Sequence, residues 1–81
     1  MSPLPDAWRG SLRSLDNHIF WIRRHRAVLD EGRERPDYLH FAADQLSWHL
    51  TRYRDLVARV TRYEEQMLAE GREFVRPAWN A

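Results

Sequence analysis

Four histidines, a few serines placed beside them and two concentrations of arginine are the side chains in this sequence that invite a chemical reading. His18, His25, His40 and His49 have to be judged without cysteine, because the chain has none; disulfides, thiolate zinc sites and cysteine nucleophiles drop out together. On a helix, His18 and His25 lie two turns apart and share a face. His49 belongs to another stripe, and His40 falls opposite His25 once the chain is folded on paper. The four do not converge, so no metal site is expected. Asp37 and His40 have the spacing of one ligand pair of a carboxylate-bridged di-metal site, but such a site repeats the motif and draws further carboxylates from other helices. Ser14 stands one helical turn before His18, and Ser47 is close to His49. Neither has an acid to orient its histidine or backbone donors to form an oxyanion hole. The three glycines are isolated and build no phosphate cradle. The expectation is a protein with no enzymatic activity, no cofactor, no metal and no small-molecule substrate.

Arginine interleaved with aromatic residues is the composition of nucleic-acid surfaces, which makes Arg52, Arg59 and Arg62 candidate nucleic-acid contacts, with Arg23, Arg24 and Arg26 the other basic group. Two observations weigh against this. Asp55 interrupts the row, and 13 basic against 12 acidic residues leave a net charge of +1, too little to draw the chain to a polyanion or an anionic membrane. All 13 basic residues are Arg, as a GC-rich genome would produce. This fits an accessory or virion component encoded by a bacteriophage or an actinobacterium. Residues 1–6 have neither the basic nor the apolar region of a signal peptide, and no apolar run is long enough to span a membrane. The expected location is cytoplasmic, or the virion if phage-encoded.

The elements that must position these side chains are two helices. Leu39, Ala42, Leu46, His49, Tyr53, Leu56, Val60, Tyr63, Met67, Glu70 and Phe74 recur at alternating steps of three and four, the 3.5-residue repeat of a helix packed along another helix. Trp8, Leu12, Leu15, Ile19, Ile22, Arg26 and Leu29 repeat the pattern earlier in the chain. Two prolines keep residues 1–5 extended in this reading, Asp6 or Ser11 is the N-cap, and Gly32 ends the first helix. Pro36 and Asp37 open the second, and Gly71 ends or frays it. The expected fold is all-α: one antiparallel helical-hairpin domain over residues 1–81, coiled-coil-like. Its helices cover about 7–31 and 36–72, with a turn at 32–35 and a tail at 73–81.

Antiparallel folding brings the two seams into one register, pairing Leu29 with Leu39, Arg26 with Ala42, Ile22 with Leu46, Ile19 with His49, Leu15 with Tyr53, Leu12 with Leu56, and Trp8 with Val60. The second seam then overhangs the first at Tyr63, Met67 and Phe74, and something must cover it: the segment around Leu4, the terminal Trp79, a second copy or another protein. The residues just before each seam position fall on one broad side of the hairpin, which collects Trp21, Val28, Tyr38, Phe41 and Trp48. Phe20, Ala27, Ala43, Leu50 and Val57 fall on the other. A two-helix hairpin has one seam and cannot bury two further apolar faces. The expected function is therefore protein–protein interaction. The chain would act as a homodimer completing a four-helix bundle, or as a subunit of a larger assembly. Its interface would comprise Trp21, Val28, Tyr38, Phe41 and Trp48, with Tyr63, Met67, Phe74 and Trp79 at the overhang. The alternative is a small Arg-rich nucleic-acid-associated regulator.

Overall fold

In the computed structural model, residues 4–75 are described. They form two α-helices packed against each other, α1 over Leu4–Glu31 and α2 over Pro36–Ala69. The all-α helical hairpin is thus the architecture of this chain, with no strand among the described residues. The second helix is the longer, 34 residues against 28. At about 1.5 Å per residue α2 alone accounts for the 52 Å long axis of a molecule whose other dimensions are 20 and 17 Å. Its radius of gyration, 16.1 Å, exceeds the roughly 12 Å of a compact chain of this length.

α1 begins at Leu4 rather than near residue 7. The prolines that argued for an extended start do not prevent this, because Pro5 occupies the first turn, where its missing N–H has no helical acceptor to lose. Asp6 lies in that turn, where the helix dipole favours its charge, and pairs with Arg9 at 3.7 Å. Both partners are exposed, so the pair contributes little. Neither Asp6 nor Ser11 caps the helix; both lie within it, and Ser11 is buried.

Gly32 ends α1 with φ 61°, and its N–H donates to the Val28 carbonyl at 3.1 Å. That left-handed conformation costs glycine nothing and other residues about 1–2 kcal/mol. Pro36 then starts α2 without a side-chain cap from Arg35. The Arg35 guanidinium turns to Asp37 at 3.8 Å. At the far end Gly71, φ 74°, donates to the Leu68 carbonyl, and the Arg72 N–H donates to that of Met67. These two bonds are the Schellman arrangement, and they stop α2 at Ala69 instead of near residue 72. Phe74 therefore lies outside the helix.

The core fills the end away from the turn. Leu4, Trp8, Leu12 and Leu15 of α1 meet Val60 and Met67 of α2, with Tyr53, Leu56, Tyr63 and Phe74 packed around them. Of the coverings considered for the overhang at Tyr63, Met67 and Phe74, the segment around Leu4 is the one found here. The early start of α1 lets Leu4 and Trp8 cover Met67, which is 2% exposed and not free for a partner. The reversal after Gly71 sets the Phe74 ring edge-on to Trp8, with centroids 5.5 Å apart. Tyr63 is half-buried beside the same cluster. Trp79 lies outside the described residues.

A correction concerns the α1 seam near the turn. Arg26 is exposed and His25 is buried in its place. Positions 15, 18, 22, 25 and 29 also step by three and four, and sinking a neutral imidazole costs far less than sinking a guanidinium. The structure follows this neighbouring stripe. No helix of the described residues is long and apolar enough to cross a membrane.

Candidate interaction face

Along the turn half of the hairpin, aromatic rings take over from aliphatic side chains. α1 contributes His18, Trp21 and His25, and α2 contributes Trp48 and His49. The His18 and His49 Nδ1 atoms are 2.7 Å apart, a hydrogen bond in which one imidazole donates and the other accepts. His25 lies over His49 with centroids 5.7 Å apart and planes 27° from parallel. Trp21 stacks on both, at 5.7 Å from His25 and 6.3 Å from His49. Trp48 meets His49 and His18 edge-on, at 4.9 and 5.6 Å. Trp21 and Trp48 are thereby joined through His49 on one side of the hairpin. Three of the four histidines converge, which corrects the expectation that they do not; His40 alone stays apart, exposed on α2.

The sequence carried a signal for this convergence in the 18–22–25–29 stripe of α1. The more apolar stripe through Ile19 masked it. No group of three or more His, Asp or Glu among the described residues has the geometry to hold a metal ion. Asp37 is engaged with Arg35 at the helix start and does not join His40 in a ligand set. The Ser14 and Ser47 side chains are exposed. His18 bonds to His49, not to Ser14.

The two imidazoles at the centre are the most enclosed, His25 at 6% and His49 at 7% exposure. Burial holds the His49 pKa below its ordinary value, and the neighbouring His18 and His25 push it the same way, because each would add a like charge.

Around this buried centre lies an apolar rim. Trp21, Tyr38, Phe41 and Trp48 are 36–52% exposed, and Val28 is half-buried. The Tyr38 and Phe41 rings are in contact, 6.0 Å apart, so they extend the patch toward the turn. Phe20, expected on the other side, sets its exposed ring edge-on to Trp21 with centroids 5.2 Å apart, while Val57 is exposed and Leu50 half-buried. Among the described residues eight hydrophobic side chains are buried and eight large ones remain exposed, so one seam does not cover the apolar surface these helices carry.

Arg52 places its guanidinium over the Trp48 ring, 5.3 Å from the centroid, in a cation–π contact. It joins the basic row to the aromatic rim. Arg59 and Arg62 are exposed further along α2. Ion pairs among the described residues include Asp6–Arg9, Arg35–Asp37 and Glu70–Arg72. Compared with known protein families, curated proteins and solved structures, the chain matches none.

Proposed function

We propose that this chain is a non-enzymatic protein-interaction module that pairs with a second copy of itself through the Trp21–Trp48 face, completing a four-helix bundle. It would act in that form as an accessory or structural subunit. The observation that carries this reading is the half-exposed aromatic patch of Trp21, Tyr38, Phe41 and Trp48 on a hairpin with a single internal seam. Tryptophan, tyrosine and arginine are the side chains that dominate binding energy at interfaces. A second copy is the occupant favoured here for two reasons. A net charge of +1 leaves two copies almost without mutual repulsion. Two elongated hairpins laid face to face also supply the helix-on-helix layers that one lacks.

Light scattering on the eluting protein tests this. A 9.8 kDa chain should elute with twice that mass, and Trp21→Glu with Trp48→Glu should bring it to one chain. A wild-type mass of one chain rejects the dimer, and a double variant that stays dimeric rejects this face.

The Arg52–Trp48 stack supports one other reading, a nucleic-acid-associated regulator that presents Arg52, Arg59 and Arg62 together. Replacing all three with Ala separates the two readings. Loss of a measured nucleic-acid affinity with unchanged mass favours the regulator.

A further inference from the structure

The centre of the aromatic face is made of three imidazoles, the side-chain type whose unperturbed charge change falls just below neutral pH. We propose that the His18–His25–His49 cluster is an acid-operated release for the Trp21–Trp48 face, holding a second copy of the chain near neutral pH and letting it go on acidification. The dimeric partner rests on the reading given above; the acid sensitivity of the hairpin rests on the cluster itself.

The bond between the His18 and His49 Nδ1 atoms, at 2.7 Å, needs a proton on one nitrogen and a lone pair on the other. The pair tolerates one positive imidazole. It does not tolerate two, because both Nδ1 atoms then carry hydrogen and point at each other. His25, stacked on His49, adds a third ionisable ring to the same enclosed space.

The surroundings offer no compensation. Within one turn on the same helix face His18 has Ser14, Leu15, Trp21 and Ile22; His25 has Trp21, Ile22, Val28 and Leu29; His49 has Gln45, Leu46, Arg52 and Tyr53. The one charged residue at those positions is a cation, Arg52 of α2. The carboxylates nearest in sequence, Asp16, Asp30 and Asp44, are exposed and lie off those positions. A proton added to His49 meets no carboxylate at these positions and the like charge that His18 and His25 would carry.

The sign follows from the lowered pKa of His49. The unfolded chain takes up a proton near the ordinary value of 6.5, whereas the folded chain resists it. Stability is full above that value and falls as pH drops below it, by up to tenfold in the folding equilibrium per pH unit and per proton, until the folded-state pKa is passed. Because Trp21 and Trp48 rest directly on these rings, the face loosens with the cluster.

The experiment measures mass by light scattering and the urea midpoint of the full chain at pH 7.5 and 5.5, for the wild type, His49→Gln and His18→Gln. The expected result is a dimer at pH 7.5, single chains at pH 5.5, a lower urea midpoint in acid, and a smaller acid effect in at least one variant. A dimer with unchanged mass and midpoint at pH 5.5 overturns the release alone. A single-chain mass at pH 7.5 overturns the dimer reading and with it the release; the urea midpoints then decide the acid sensitivity of the hairpin by itself. Should both variants fail to fold, an NMR titration of the wild-type imidazoles decides. His49 titrating at or above the ordinary value overturns the proposal.

Discussion

Trp8 joins the end of α1 to the end of α2, and replacing it by Phe isolates one bond. The indole is 6% exposed, and its Nε1–H donates to the Glu64 carboxylate at 3.2 Å from a side chain that is itself 7% exposed. Phe keeps a ring against Phe74 and removes that donor. A hydrogen bond to a charged acceptor contributes about 1.5–3 kcal/mol, and a 3.2 Å separation places this one near the lower figure. The smaller ring also leaves some apolar surface unburied, about 1 kcal/mol more. The expected loss is about 2–3 kcal/mol, against roughly 3–5 kcal/mol for Trp8→Ala, which removes the ring altogether. With a urea slope of about 1 kcal/mol per molar for a chain this small, the midpoint should fall by about 2–3 M. The assay is urea unfolding followed by far-UV circular dichroism at one fixed protein concentration. Glu64→Gln, which keeps an acceptor and discards the charge, completes a double-mutant cycle in which the two changes should couple by at least about 0.5 kcal/mol. A Trp8→Phe loss below about 0.5 kcal/mol, or strict additivity with Glu64→Gln, refutes the view that this bond ties the two ends together.

Two glycines should respond in opposite directions. Gly10 lies inside α1 with open space where a Cβ would go, so Gly10→Ala should stabilise by about 1 kcal/mol and raise the melting temperature by about 4–8 °C in a thermal scan. Gly71 has equal room but a φ of 74°, so Gly71→Ala should cost about 1–2 kcal/mol and lower it. If Gly71→Ala leaves the melting temperature unchanged, the turn that returns Phe74 to Trp8 does not depend on glycine's conformational freedom.

Much of the hairpin was legible because it depends on local chemistry. The alternation of threes and fours from Leu39 to Met67 can only be one long helix face. Gly32 followed by Pro36 is a stop and a start whatever surrounds them. Trp8, Leu12, Leu15, Leu56 and Val60, read as seam residues from spacing alone, do share one cluster. The aromatic side chains placed on one broad face are accessible there, and Trp21 and Trp48 do meet a common neighbour in His49.

The rest turned on comparisons that a single strand of sequence does not contain. In α1 two adjacent stripes, one through Ile19 and Arg26 and the other through His18 and His25, fit the same period. Choosing between them requires the facing helix, where His49 supplies a ring and a hydrogen-bonding nitrogen for the imidazoles and nothing for a guanidinium. Coverage of Met67 likewise depends on where α1 begins, and burial of Leu4 and Trp8 against α2 favours the longer helix over the extended segment that two prolines suggest. Periodicity determined that there are two helices and which sides of them are apolar. Only their packing decided which of two equivalent stripes turns inward, and that choice gathered three histidines at the centre of the aromatic face.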